Sequence, residues 1–290
     1  FILREVYLNR CTDSLSHNNI ATALGEGKKL FDANKEVYRL LRYGVKEKEG
    51  AGEQNQTVWL IDWQNPEAND FAIAEEVTVK GELKKRPDLV IYVNGIALGV
   101  IELKRSSVSV SEGIRQNLDN QKKAFIRNFF TTMQLVMAGN DTQGLRYGTI
   151  ETTEKYYLEW KESQGADALP RDHIESKTIL DTHLAQLCDK QRFLELIHDF
   201  IVFDAGVKKT CRHNQFFGIQ AAKKHVVSLT NNKQGGIIWD TQGSGKSLTM
   251  VWLAKWIREN VKDSRVLIVT DRTELDEQIE KVFSGVDEEI

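Results

Sequence analysis

Pro87-Asp-Leu-Val-Ile-Tyr-Val-Asn-Gly-Ile-Ala-Leu-Gly-Val-Ile-Glu-Leu-Lys104 is a pair of apolar extended runs folded about Asn94-Gly95, with two acids and an amine at their far ends. Side chains alternate faces along a strand. Glu102 and Lys104 therefore share one face, while Ile101 and Leu103 share the other and feed a core. Asp88 must join the Glu102 face if the three are to act together. A two-residue loop would pair Val93 with Ile96 and set Asp88 opposite Ile101, on the wrong face. A three-residue loop with Gly95 in the left-handed conformation pairs Tyr92 with Ile96, and sets Asp88 opposite Val100 and diagonal to Glu102. The three-residue form is expected, because only that register gathers the cluster without a further bulge.

These residue types suit phosphodiester cleavage, which requires a hard cation to polarise the phosphate and activate water. Two carboxylates, Asp88 and Glu102, suit Mg²⁺, which prefers oxygen ligands and keeps several waters. A lysine beside them, Lys104, can orient the attacking water or stabilise developing negative charge. Glu-x-Lys alone marks many ordinary surface strands. The Pro-Asp at this spacing, between apolar runs, is what singles it out.

A second constellation lies downstream. Gly236-Ile-Ile-Trp239 reads as a buried strand running into Asp240-Thr-Gln-Gly-Ser-Gly-Lys-Ser247 and then an apolar helix, Leu248 to Ile257. Strand, glycine-rich loop and helix in this order form a phosphate-binding loop. Thr241, Gln242, Gly243, Ser244 and Gly245 would turn backbone N–H groups around the phosphates. Lys246 would reach the β- and γ-phosphates of ATP, and the Ser247 hydroxyl would hold Mg²⁺. Asp240 stands where the strict pattern has glycine, and an acid beside a triphosphate is unfavourable unless it points away. Upstream, Arg212-His-Asn-Gln215 sits where helicase-type motors place an adenine-reading glutamine, although a helix-cap glutamine would look the same. Downstream, Val266-Leu-Ile-Val-Thr-Asp-Arg272 reads as a buried strand with a polar end, and such ends face the ligand crevice of α/β sheets.

Around these two centres the chain alternates regularly. Residues 2–42 read as two helices, and 46–56 as a loop. Residues 57–61, 71–79, 88–93 and 97–103 read as strands. A helix capped by Ser111 runs to about Arg127, and strands follow at 134–138 and 146–150. Gly165 to Asp172, with Pro170, is the expected boundary, and 180–203 reads as helical. The helix–strand alternation beyond Gln215 is that of a parallel α/β sheet.

The chain has 290 residues, 41% hydrophobic and 28% charged, with a net charge of -3. That is a globular composition with room for two domains. DNA binding does not show in the global charge, so it must be local. The candidates are Lys84, Lys85 and Arg86; Lys104 and Arg105; Lys122, Lys123 and Arg127; and Lys208, Lys209 and Arg212, although such runs are most often solvated faces. Cys11, Cys188 and Cys211 are too few and too scattered for a disulfide framework or a zinc site, which points to a reducing, cytoplasmic compartment. No apolar run approaches the roughly 20 residues of a membrane span. The chain starts at Phe1 and ends soon after a strand–helix pattern begins, and so reads as a piece of a longer protein.

Taken together, Pro87 to Lys104, Gly235 to Met250 and Asp271 to Gln278 resemble the restriction subunit of type I restriction-modification enzymes. Ile61-Asp-Trp-Gln-Asn-Pro66 and Phe203-Asp204 extend the resemblance through nearly the whole chain. It implies an α/β architecture: a PD-(D/E)xK nuclease domain, with a mixed sheet flanked by helices, over 1–165; a helical connector over 166–205; and the first part of a RecA-like, superfamily-two motor over 206–290. The resemblance also implies Asp88 and Glu102 as metal ligands, Lys104 as the catalytic lysine, and Gln116 as an accessory residue. Lys246 and Ser247 become the nucleotide and Mg²⁺ residues, and Gln215, with Arg212 beside it, the adenine contact. The implied partners are double-stranded DNA and the modification and specificity subunits, with no membrane. A repair nuclease of the same two modules, or a docking scaffold with a degenerate site, are the competing readings.

Three positions depart from the family pattern. Asn120 stands where the family often has tyrosine four residues after Gln116, so a polar contact between them is expected to survive. Asp240 replaces a frequent histidine. Glu75-Glu76 replaces a usual Asn-Gln, and would either add a metal ligand or be exposed. Only 18 residues follow Arg272, with no apolar strand ending in Asp-Glu and no arginine finger. Weak nucleotide binding and no ATP turnover are therefore expected of this stretch by itself.

Overall fold

The structure, a computed structural model, describes residues 29–47, 54, 56–162, 178–228, 235–269, 277, 279–280 and 282–283. The readings made for residues 1–28, for the 165–172 boundary and for Asp271-Arg272 lie outside the described residues. The chain forms two compact units, one drawn from Phe1–Trp160 and Leu169–His198, the other from Lys161–Ala168 and Asp199–Ile290.

The first unit is built on a six-stranded sheet. Helix α1 (Leu30–Tyr43) leads into the paired strands β1 (Val45–Glu47) and β2 (Gln56–Val58). Next come β3 (Phe71–Glu75), β4 (Leu89–Val93) and β5 (Ile96–Leu103). Helix α2 (Val110–Asn120) crosses over to β6 (Leu135–Asn140), which β7 (Gly144–Gly148) and β8 (Leu158–Glu159) follow. The sheet order is β3-β4-β5-β6-β7-β8. Only β5–β6 is parallel, as a helical crossover between adjacent strands requires. Helices α3 (Ile179–Leu187) and α4 (Lys190–Asp199) complete the unit's described elements.

The β4–β5 turn differs from the expected one. Val93 pairs with Ile96, so the loop has two residues, Asn94 and Gly95, at φ 50° and 76°. Two positive φ values in succession match the twist of a tight hairpin. Asn94 can hold that strained backbone because its side chain is locked on both sides. Its Nδ2 donates to the Leu60 carbonyl (2.9 Å) and to Asn69 Oδ1 (2.8 Å), and its Oδ1 accepts from the Asp70 amide (2.8 Å). The bulge that the three-residue turn would have avoided is present. Tyr92 pairs with Ala97 but Ile91 with Gly99, which leaves Leu98 as the extra residue. Beyond the bulge Leu89 faces Ile101, so the next step of the ladder sets Asp88 directly across from Glu102.

Both faces of the sheet are covered. Val90, Val100 and Val136 pack with Leu30 of α1 and with Ile126, Phe130 and Met133. The Asn34 amide of α1 lies within hydrogen-bond distance of the Phe130, Thr131 and Met133 carbonyls, which fixes the helix to the 3₁₀ turn Arg127–Thr131. On the opposite face Gly99 lies under Phe193 of α4, and Gly139 under Leu180 of α3. An added Cβ would stand 3.1 Å and 2.6 Å from those side chains.

Helix α2 starts two residues earlier than expected. Ser109, not Ser111, is the cap and accepts from the Ser111 amide, while Gln143 Oε1 takes the Val110 amide at 2.7 Å. The helix stops at Asn120 rather than near Arg127. Gln121 bonds back to the Asn117 carbonyl and across to the Glu151 amide, and this reversal buries Ile126.

In the second unit, residues 201–204 are not helical. Ile201–Asp204 is strand β9, hairpinned to β10 (Val207–Thr210) through Ala205 and Gly206 at φ 47° and 81°. The β-branched and aromatic run Ile201-Val202-Phe203 before a turn-forming pair overrides the helical periodicity to its left. Helices α5 (His213–Ser228) and α6 (Lys246–Asn260) follow, with Phe200 stacked near Phe216 (4.9 Å) and Trp252 (6.0 Å). Residues 236–239 and 266–269 form no strand. Ile237, Trp239, Leu267 and Val269 are all at least 82% exposed. The expected buried strands are thus overturned here: a central parallel strand is held by neighbours on both edges, and among the described residues these two segments have none.

Candidate active site and phosphate-binding loop

The first site forms where β4, β5 and α2 meet. Asp88 precedes β4, and its Oδ2 accepts the Leu103 backbone N–H at 2.7 Å, which ties the carboxylate to the neighbouring strand. Glu102 is 1% exposed. One of its oxygens, Oε1, takes the Lys104 ammonium at 3.2 Å and the Gln116 amide. The Lys104 ammonium also donates to Gln116 Oε1 at 2.7 Å. Lys104, Gln116 and Glu102 thus close a ring of hydrogen bonds. The structure brings together all four residues singled out from the sequence, with Asp88 on the same side of the sheet as Glu102.

The ring leaves one atom over. Glu102 Oε2 is buried and has no hydrogen-bond partner. Burial, reinforced by the Asp88 charge and only partly offset by Lys104, pushes the Glu102 carboxyl up to about 7. A buried carboxylate oxygen without a partner is costly. A hard divalent cation between Glu102 and the neighbouring Asp88 would supply the missing contact and remove their mutual repulsion. The donor set fits Mg²⁺ in a site completed by water. Among the described residues no group of three or more His, Cys, Asp or Glu side chains is placed to hold a metal.

The departures settle in different ways. Glu76 has φ 50° and pairs with Arg86 at the surface (3.2 Å), and Glu75 is exposed, so neither joins the carboxylate pair. Gln116 turns to Lys104 and Glu102. Asn120 lies buried with its Oδ1 unpartnered, so the expected Gln116–Asn120 contact is not made.

Gly113 was missed in the sequence, although a glycine inside a helix carries a signal. A Cβ there would stand 3.1 Å from Ala138 Cβ and 3.4 Å from the Glu102 carbonyl. Its absence lets α2 lie close enough on β5 and β6 for Gln116 to reach Glu102. The Leu103 amide that fixes Asp88 left no trace in the sequence, since any residue supplies a backbone N–H.

In the second unit the loop runs through Gly243 (φ 78°) and Gly245 (φ 94°) into the N-terminus of α6, whose first residues are Lys246 and Ser247. Lys246, Thr241 and Gln242 are exposed; Ser244 is buried. Gln215 is 3% exposed. Its Oε1 accepts the Arg212 amide (2.9 Å), and its Nε2 donates to the Gly245 carbonyl (3.0 Å) and Thr249 Oγ1 (3.3 Å). Asp240 accepts from Asn214 at 3.3 Å. Of the basic run 208–212, Lys208 is buried against Phe203, which drives its ammonium far below the usual lysine range, so it is no part of a DNA-facing surface. Lys209 pairs with Asp204.

A family model described as "Type I restriction enzyme R protein N terminus" matches residues 4–155, and one described as "SWI2/SNF2 ATPase" matches residues 214–290. The chain belongs to the type I restriction enzyme R protein N-terminal family. It is 27% identical over 275 residues to the putative type I restriction enzyme MjaIXP endonuclease subunit of Methanocaldococcus jannaschii, covering 86% of this chain and 26% of that protein. It is 28% identical over 269 residues to the type I restriction enzyme HindI endonuclease subunit of Haemophilus influenzae (87% and 25%). The Staphylococcus saprophyticus subunit SsaAORF53P matches at 24% over 217 residues (74% and 22%). The chain thus spans about a quarter of the length of these curated relatives. Among the described residues no helix is long and apolar enough to cross a membrane.

Proposed function

We propose that the chain carries the DNA-cutting centre of a type I restriction enzyme and the start of its ATP-driven motor. In this reading residues 1–165 are a PD-(D/E)xK nuclease domain, 166–205 a connector and 206–290 the first part of a motor that translocates double-stranded DNA. The observation that supports the nuclease assignment is the placement of Asp88 across from Glu102, beside Lys104 and Gln116, with Glu102 Oε2 buried and unpartnered. Asp88 and Glu102 would hold Mg²⁺, whose chemistry there would be to polarise the scissile phosphate and acidify the attacking water. Lys104 sets its ammonium toward the charge that develops on the phosphate. Gln116 holds both the lysine and the glutamate in place. In the motor Lys246 and Ser247 take the phosphates and Mg²⁺ of ATP, while Gln215, with Arg212 beside it, borders the nucleotide. The partners are DNA and the modification and specificity subunits, in the cytoplasm.

The test is restriction of unmodified DNA in cells by protein carrying Asp88→Ala. Restriction is expected to vanish while the protein still accumulates. Undiminished restriction removes the assignment.

A further inference from the structure

Asp88 stands just beyond the end of a strand pair. The β3–β4 ladder closes at Glu75 and Leu89, and past it the Glu76 amide donates to the Asp88 carbonyl (2.8 Å). Between those two residues the chain leaves the sheet. Glu76, at φ 50°, turns it off the edge strand into an arm, Val77 to Arg86, and Pro87 brings it back. The last rungs of a ladder open most readily. A metal ligand placed there needs a further hold.

The arm supplies it. Val79 and Lys85 exchange backbone hydrogen bonds (2.9 and 3.1 Å), which close the arm on itself. Its tip rests on the turn that follows α2. The Glu82 amide donates to the Phe125 carbonyl (3.1 Å), and the Lys85 ammonium rides on the Phe125 ring at 4.4 Å. Only glycine fits at position 81. A Cβ there would stand 2.1 Å from the Phe125 carbonyl oxygen and 3.0 Å from the Ile126 Cα. The turn cannot give way, because the Phe125 and Ile126 amides are bonded to the Lys122 and Asn120 carbonyls and Ile126 is packed in the core. A side chain at 81 therefore lifts the arm. Pro87, buried and with φ fixed by its ring, passes that lift on to Asp88 with little slack.

We infer that Gly81 and Phe125 are positioning residues for the metal site: their contact straps the start of β4, with Asp88, to the turn that ends the helix bearing Gln116. The inference rests on the proposed nuclease function and adds to that site a contact made by neither carboxylate. With the strap seated, Asp88 stands opposite Glu102 before a cation arrives. With it lifted, Asp88 is in place for only part of the time. The apparent dissociation constant of the cation then rises by the inverse of that fraction, while the number of sites stays the same.

The test uses purified full-length protein without nucleotide, and Mn²⁺ as the probe. Mn²⁺ takes the same oxygen ligands as Mg²⁺, and its free form is counted by paramagnetic resonance. The wild type is expected to bind one ion that Asp88→Ala loses. Gly81→Val should bind the same number, with the dissociation constant raised roughly 10- to 100-fold, the usual cost of losing a group that supports a metal ligand. Trypsin, with no metal present, should cut that variant faster after Lys80, Lys84 and Lys85. Gly81→Ala, the smaller intrusion, shifts both readouts the same way by less. Leu83→Ala, an exposed side chain on the same arm, shifts neither. A folding defect alone would lower the number of sites and leave the affinity of the remainder unchanged. That result, an unchanged dissociation constant, or an arm no easier to cut overturns the proposal. If Asp88→Ala binds Mn²⁺ as the wild type does, the metal-site reading fails and the strap with it. If Asp88→Ala loses the ion while Gly81→Val keeps the wild-type affinity, only the strap fails.

Discussion

Asp88 is anchored to Leu103, the residue between Glu102 and Lys104, by a 2.7 Å hydrogen bond from that residue's backbone amide. The bond crosses from the end of one strand to the end of the next. It fixes one carboxylate against the strand that carries the other, so the pair is held together before any cation arrives. Such an arrangement stores repulsion, and that repulsion can be measured.

Glu102 ionises near pH 7 because it is buried beside Asp88. Between about 4.5 and about 7 the folded chain keeps a proton that the unfolded chain has released. Stability therefore falls as pH rises through that window, and the penalty is complete above it, at most on the order of 3 kcal/mol. Without metal, Glu102→Gln is expected to melt several degrees above the wild type at pH 8, and at the same temperature as the wild type at pH 4.5. Adding Mg²⁺ at pH 8 should raise the wild-type melting temperature and leave that of Glu102→Gln unmoved. Calorimetry at the two pH values checks both statements.

Gln116, carried by α2, touches both members of the Glu102–Lys104 pair through their side chains. Its removal leaves the carboxylates in place and Lys104 held by Glu102 alone. Gln116→Ala is expected to cut 10- to 100-fold more slowly, the usual cost of losing a group that orients a metal site. The melting shift produced by Mg²⁺ should survive. If the shift disappears with the activity, Gln116 belongs to the metal site itself and does more than hold the lysine.

The period-two pattern made the sheet and the polar corner readable, because alternation on 97–103 fixes which side chains share a face. The turn was not readable. Two- and three-residue loops both fit Asn94-Gly95, and the choice lies with Leu60, Asn69 and Asp70, which lock Asn94 from distant parts of the chain. The slip at Leu98 then returned Asp88 to the right face by another route. The apolar runs 236–239 and 266–269 failed as strand signals for a different reason. A run of apolar residues states that a segment can be buried, but a strand also needs a ladder neighbour, which the segment's own sequence does not contain. The hairpin at 201–210 was hidden because helix and strand periods both tolerate Ile-Val-Phe.

Gly113 lets α2 approach the strand that bears Glu102. In an ordinary helix a glycine-to-alanine change gains about 1 kcal/mol of helix propensity, whereas here the new methyl would meet Ala138 at 3.1 Å. A branched side chain is worse on both counts. Gly113→Val is expected to destabilise the protein by about 1–3 kcal/mol, the cost of overpacking. It should also slow cleavage more than the stability loss explains, because the helix that carries Gln116 must back away. Denaturant titration set beside a cleavage rate at low temperature separates the two effects. Unchanged cleavage in a folded variant would show that α2 does not position the site.

Gln215 raises a sharper question, because its side-chain amide is already engaged. Oε1 holds the Arg212 backbone, and Nε2 holds the Gly245 carbonyl and Thr249 at the start of α6. A glutamine that reads adenine discriminates between bases, since a site built to hydrogen-bond one edge rejects another. A glutamine that fixes the phosphate loop acts on every nucleoside triphosphate alike. The bonds present favour the second behaviour. Gln215→Ala is expected to weaken ATP and GTP binding by the same factor, whereas Lys246→Ala removes both. Equilibrium binding of fluorescent ATP and GTP analogues in Mg²⁺ measures this directly. A loss confined to ATP would return Gln215 to the base-reading role implied by its place in the sequence, and would mean that its bonds to Gly245 and Thr249 give way when nucleotide enters.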